Sequence, residues 1–242
     1  MEVLSLNLPP LYPTGPSDYF RIRVVDAETK RGVPMVELRT NSCIPYQTDS
    51  AGVVAFFEPG LMDRDVFFHV QSHGYSIDGM FADMKGRVLR TTPGTTGVIE
   101  IVRVNIARRL YRITGQGLYI HSLLLGDPVP LRQPLHNRIV DGQDSVLTTR
   151  YKDRLFWIWG DTSQPGHSTE WNFKVTGAQS DPPDKGGLDP EIGVDLDYFG
   201  DDGEFTRKMV PLPKGNDLHW IGSLFVVEDN EGRPRLMAGC AQ

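Results

Sequence analysis

Tyr19-Phe20-Arg21-Ile22-Arg23-Val24 decides the fold class. Phe20, Ile22 and Val24 alternate with Arg21 and Arg23, and a period of two places one face of a strand inward. Asp26-Ala27-Glu28-Thr29 reads as the turn that follows, and Val33-Pro34-Met35-Val36-Glu37-Leu38 as the next strand. Thr48-Asp49-Ser50-Ala51-Gly52 is a tight turn, with Asp bonding its own backbone and Gly supplying positive φ. Val53-Val54-Ala55-Phe56-Phe57 has no alternation and reads as a buried strand closed by Glu58-Pro59-Gly60. Val66-Phe67-Phe68-His69-Val70 follows and ends at His73-Gly74-Tyr75; Val98-Ile99-Glu100-Ile101-Val102, with Val104, is the last. Short strands at this spacing imply an all-β sandwich. No helix-period segment stands out, and Met1 to Ser17, with Pro9-Pro10, Pro13 and Pro16, reads as a Pro-rich lead-in.

Composition narrows the function classes. The chain has 242 residues, 39% hydrophobic and 23% charged, as a globular protein does. A formal net charge of −6 gives no counterion-release advantage on a phosphate backbone, so no nucleic-acid partner is expected. Arg103 to Arg112 is the local exception and reads as solvated strand-edge charge at a domain junction. Cys43 and Cys240 are too few and too distant in sequence for a metal site or a disulfide framework. No stretch approaches the ~18 apolar residues of a membrane span. The N-terminus has no basic and apolar signal-peptide pattern, which leaves a cytosolic protein, a processed one or a lost start open.

The order Val-x-Asp-x-x-Thr, Val-Pro-x-Val-x-Leu, Thr-Asp-x-x-Gly and a hydrophobic strand ending in Gly-Tyr resembles the transthyretin-like family, which includes the carboxypeptidase regulatory-like domains. The resemblance covers about Tyr19 to Ile106 and implies a β-sandwich over residues 18–106 after the lead-in of 1–17. It also implies a non-catalytic attachment beside a secreted enzyme or surface protein. His69 and His73 share a strand face but lie ~13 Å apart along it, too far for one metal ion.

Residues 107–141 read as a connector whose glycines are turns, without the Lys-Ser/Thr ending of a phosphate loop. Beyond it, Gly142-Gln143-Asp144-Ser145 opens a β-hairpin. One strand runs from about Ser145 to Tyr151, Lys152-Asp153-Arg154 turn, and Leu155 to Trp159 return toward Gly160-Asp161-Thr162. Because the strands are antiparallel, Asp144 and Asp161 arrive at the same end, a carboxylate pair suited to acid–base work on a glycosidic bond. Trp157 and Trp159 alternate with Ile158 and read as packing residues on one face.

The Gly-Gln-Asp-Ser opening and Trp-Gly-Asp-Thr close resemble the first blade of five-bladed β-propeller glycoside hydrolases. The likeness is to endo-D-arabinanase-like and arabinanase/xylosidase-like propellers and spans about Leu110 to Gln242. It implies an incomplete β-propeller of about two blades over 142–242, Asp144 and Asp161 as catalytic residues, and a polysaccharide or oligosaccharide partner. His167, Glu170, Trp171 and Asn172 fall where such propellers place substrate-facing loops. Asp201-Asp202-Gly203 reads as the turn between strands Val194 to Phe199 and Phe205 to Val210. Leu218 to Val227 and Arg235 to Ala238, turned at Asn230-Glu231-Gly232, repeat the hairpin and place His219 near the position Asp144 holds in the first.

Asp181 to Asp197 is acidic but lacks the spacing of a calcium loop, and neither a metal nor a cofactor is expected. Two blades cannot close a ring, so a truncated chain or a partner chain completing the propeller is expected. The expectation is therefore a polysaccharide-degrading glycoside hydrolase, extracellular or periplasmic by resemblance. The alternative is a non-enzymatic carbohydrate-binding or cell-surface protein.

Overall fold

A computed structural model of the chain describes residues 11–79, 84–115, 117–166, 174–200, 205–210 and 220–241. The protein is mostly β-structure and divides into two compact units. Met1–Arg112 and Tyr119–Val129 form the first; Ile113–Leu118 and Pro130–Gln242 form the second. Residues 107–141 are thus shared between the units.

The first unit holds eight described strands: β1 (Phe20–Asp26), β2 (Glu37–Arg39), β3 (Pro45–Gln47), β4 (Val53–Phe56), β5 (Asp65–Gln71), β6 (Tyr75–Ser76), β7 (Gly86–Arg90) and β8 (Thr96–Arg103). They make two four-stranded sheets, ordered β4-β1-β8-β6 and β3-β2-β5-β7. In the first sheet β1 pairs antiparallel with β4 and parallel with β8; the second is antiparallel throughout. Phe20, Ile22 and Val24 are buried, as the alternation predicts, and join Leu38, Phe56, Phe68, Ile99 and Ile101 in one cluster fed by both sheets. Phe56 and Phe68 meet edge to face with ring centroids 5.0 Å apart.

β4 is buried on every residue, which matches its unalternated sequence. The reason is a second cover: a short helix, α1 (Ile120–Leu124), packs on it. No helix was legible at that position, because five residues are too few to show a helical period. Asp49 fastens α1. Its Oδ2 accepts hydrogen bonds from the Ser122 backbone N–H at 2.7 Å and the Ser122 hydroxyl at 2.8 Å. Its Oδ1 accepts from Ala51 N–H at 3.0 Å, closing the predicted turn, and Gly52 there has φ 75°.

Three expectations need correction. The strand expected over Val33 to Leu38 is confined to Glu37–Arg39, because Met35 has φ 58°, which a strand does not tolerate. Strands β3 and β7 were not expected; three residues and a Gly-Arg start give no usable alternation. The Arg103 to Arg112 run is not simply solvated. Arg109 donates to the carbonyls of Pro34, Met35 and His73 and to Ser72 Oγ, and Arg103 lies 3.5 Å from Glu28.

The second unit carries β9 (Gly142–Gln143), β10 (Leu147–Tyr151), β11 (Arg154–Ser163), β12 (Lys174–Ser180), β13 (Asp197–Tyr198), β14 (Trp220–Glu228) and β15 (Pro234–Ala241). β10, β11, β12 and β13 pair antiparallel in sequence order, and β9 pairs with the end of β11. β14 and β15 form a separate hairpin. Val140, Trp159, Ala178, Leu196 and Tyr198 are the core of this unit. Residues 205–210 carry no strand, contrary to expectation; Arg207 and Met209 donate backbone bonds to the carbonyls of Phe199 and Val175. The turn expected at 201–203 lies outside the described residues. Among the described residues no helix is long and apolar enough to cross a membrane.

Candidate active site

The site forms where the first hairpin is interrupted. Ser145 has φ 50°, which breaks the leading strand into β9 and β10. β10 pairs with the first half of β11, Leu147 opposite Ile158, while β9 pairs with its end, Gln143 opposite Thr162. The register of β11 against β12 also shifts between Trp159 and Thr162. Asp144 and Asp161 sit in this irregular window, facing one another across the strands.

Three hydrogen bonds lock them together. Asp144 N–H donates to the Asp161 carbonyl at 3.2 Å, and Gly160 N–H donates to the Asp144 carbonyl at 3.0 Å. Asp161 N–H donates to Asp144 Oδ1 at 3.0 Å. A Cβ on residue 160 would lie 2.8 Å from that same Oδ1, so glycine there leaves the space the carboxylate occupies. Asp144 is exposed and Asp161 half-buried. The Asp161 carboxyl is held above the usual carboxylate range, first by burial and then by the negative charge of Asp144.

A buried polar chain supports this window from within the unit. Thr162 and Thr176 are fully buried and their hydroxyls lie 2.6 Å apart. Gln143 Nε2 donates to Thr176 Oγ1 at 3.4 Å, and Tyr198 OH donates to Gln143 Oε1 at 2.8 Å. Burial pushes the Tyr198 phenol up, so it stays a neutral donor. Gln143, Thr162, Thr176 and Tyr198 were not singled out in the sequence. Gln143 and Thr162 flank the two aspartates, and that adjacency was the only available signal.

Trp157 and Trp159 share a face and stack with centroids 6.2 Å apart and planes 11° from parallel. Trp159 is buried in the core against Tyr198, and Trp157 Nε1 donates to Ser180 Oγ at 2.8 Å. Both therefore pack the sheet.

No protein-family model, curated protein or solved structure matches the chain.

His167, Glu170, Trp171, Asn172 and His219 lie outside the described residues. Four of the five aspartates from Asp181 to Asp197 pair with arginines of the same unit: Arg150 with Asp184, Arg154 with Asp181 and Asp197, and Arg132 with Asp195 and Asp197. Asp189 Oδ1 accepts from Glu191 N–H at 2.7 Å.

Proposed function

We propose that the second unit is a glycoside hydrolase acting on polysaccharide, with Asp161 as the general acid and Asp144 as its ionised partner. The observation that carries this reading is the opposition of the two aspartates across the β9–β11 junction, with the Asp161 carboxyl raised by burial and by Asp144. Glycosidic cleavage needs one protonated and one ionised carboxyl, and unequal environments are what divide such roles. Asp161 would protonate the leaving oxygen. Asp144 would then either activate water or attack the anomeric carbon, according to the distance between the two groups.

The architecture supports the reading at a coarser level. A four-stranded antiparallel sheet in sequence order, β10 to β13, has the form of a propeller blade, and the β14–β15 hairpin would open another. A transthyretin-like sandwich for the first unit suits an attachment domain of an extracellular or periplasmic enzyme. Completion of a propeller would need further blades, from this protein or a partner chain.

The bond from Asp161 N–H to Asp144 Oδ1 favours a second reading, in which Asp144 is a structural staple and the unit binds carbohydrate without cleaving it. Reducing-end release from a panel of polysaccharides separates the two. Asp161→Asn and Asp144→Asn should each lower release at least about a hundredfold, in keeping with loss of an acid or base, while leaving polysaccharide retention unchanged. Wild-type retention with no release, or full release by either variant, would refute the enzymatic reading.

A further inference from the structure

The seat of α1 on the first unit combines an apolar strip, a buried carboxylate and an imidazole. Val54 and Phe56 of β4 join the cluster between the sheets, whereas Val53 and Ala55 are buried outside it and form the strip on the face that α1 covers. β4 itself brings no ionisable group. Asp49, in the turn before β4, holds the helix through Ser122 N–H at 2.7 Å and Ser122 Oγ at 2.8 Å. Beyond the helix, Arg21 of β1 pairs with both carboxylate oxygens of Asp127, so the chain is anchored there independently of α1.

His121 is the titratable side chain of this seat. The residue is half-buried, but its ring Nδ1 is shut off from solvent and has no hydrogen-bond partner among the described residues. The ring bonds instead to the Gln47 backbone, which leaves Nδ1 as the bare nitrogen of the neutral form. A neutral imidazole tolerates that position at small cost. Protonation makes Nδ1–H a buried, unpaired donor on a charged ring, and that costs far more. Two charged groups from other segments act on the ring: Asp49 from the turn before β4 and Arg112 from the stretch after β8. Burial pushes the ring below its usual value, against the charge of Asp49 and the Gln47 bond, and Arg112 adds to the depression. Tyr119, at the start of the helix, is pushed up to about 12, first by burial, and stays a neutral phenol.

We propose that α1 is an acid-released latch: when His121 takes up a proton the seat no longer holds the ring, and α1 lifts from β4 while both sheets stay formed. The released helix leaves the Val53–Ala55 strip uncovered, so acidification turns a closed face of the sandwich into an apolar one. The sign follows from linkage. The seated ring binds a proton more weakly than a free imidazole, so the seat is at full strength above the ordinary histidine value of about 6.5 and weakens as pH falls from there toward the depressed value.

Hydrogen exchange of the full chain, corrected for the intrinsic rate at each pH, reads the latch through the Ser122, Leu123 and Leu125 amides, which bond to Asp49, Tyr119 and His121. Between about pH 7.5 and about pH 5.5 their opening should rise about five- to tenfold, the range that one proton allows over that interval. Amides of β1 and β5 should keep their protection. The His121 ring, followed by proton NMR in the unsubstituted protein, should titrate over the same interval as the exchange. His121→Gln keeps a donor for the Gln47 backbone and His121→Phe keeps the bulk of the ring; neither titrates, and both should remove the rise. An opening that changes less than about twofold would overturn the proposal. So would a rise that persists in either variant, which would assign it to a carboxylate such as Asp49, or a loss of protection shared by β1 and β5, which would be global unfolding.

Discussion

Replacing Asp49 by alanine tests how the stretch after Arg112 is tied to the first unit. Asp49 is 1% exposed and its carboxylate accepts from four donors: Ser122 N–H at 2.7 Å, the Ser122 hydroxyl at 2.8 Å, Ala51 N–H at 3.0 Å and, more weakly, Val53 N–H at 3.4 Å. The losses of the three shorter bonds are unequal. Ser122 is also 1% exposed, so its N–H is left buried without an acceptor, at a cost of about 1–3 kcal/mol. Its hydroxyl rotates to another acceptor and loses about 1 kcal/mol, while Ala51 is exposed and its N–H turns to water for about 0.5–1 kcal/mol. Asp49→Ala should therefore destabilise the first unit by about 3–5 kcal/mol. Ser122→Ala removes only the hydroxyl bond and should cost about 1–2 kcal/mol. Urea unfolding followed by far-UV circular dichroism gives both values, and the double variant gives their coupling, which should be about 1 kcal/mol. Amide exchange at residues 119–125 should quicken in Asp49→Ala at a urea concentration where the sheets stay protected. A loss below about 1 kcal/mol at unchanged m-value, or strict additivity of the two variants, would refute this account of how α1 is held.

Three further outcomes follow from the geometry. Asp144→Asn should bring the Asp161 carboxyl down toward its ordinary range, read by carbon NMR titration, since one of its two causes is removed; an unmoved titration would mean that burial alone sets it. Because Asp161 is raised in the folded state, the native chain holds that proton more tightly than the unfolded chain, so the second unit should lose stability as pH rises from the ordinary carboxylate range through the raised value, and Asp161→Asn should flatten that slope. Gly160→Ala should displace the Asp144 carboxylate and cost about 1–2 kcal/mol, whereas Gly222→Ala, with open space around its Cβ position, should be near neutral in the same thermal melts. Arg109→Ala should cost about 1.5–3 kcal/mol through its four acceptors, and Arg109→Lys should recover only part, because an ammonium cannot reproduce the planar fork.

The all-β class was legible because burial on one face writes a period of two into the chain, as at Phe20 to Val24 and Val66 to Val70. The unbroken apolar run at Val53 to Phe56 also reported its environment correctly, a strand covered on both faces. What covers its outer face was not legible. α1 comes from residues 120–124, nearly seventy positions downstream, and is fixed there by one buried carboxylate that the sequence presents as an ordinary turn aspartate. The same aspartate closes a local turn and holds a distant helix, and periodicity records only the first task.

At the candidate site the balance is different. Antiparallel pairing alone brings residues seventeen apart (161 − 144) into opposition, so the meeting of Asp144 and Asp161 could be argued from a hairpin reading. Its local form could not, because it depends on Ser145 entering positive φ and on β11 running on to Ser163 past a register shift. Those two departures open the window in which Asp144 bends back over Gly160. In a regular ladder the two side chains would alternate with their neighbours, and no carboxylate would lie over the opposite backbone. Gly160, which the sequence places beside Asp161 where the hairpin closes, leaves the space that the other carboxylate fills. Chemistry between the pair therefore depends on residue 160 having no side chain as directly as on either acid.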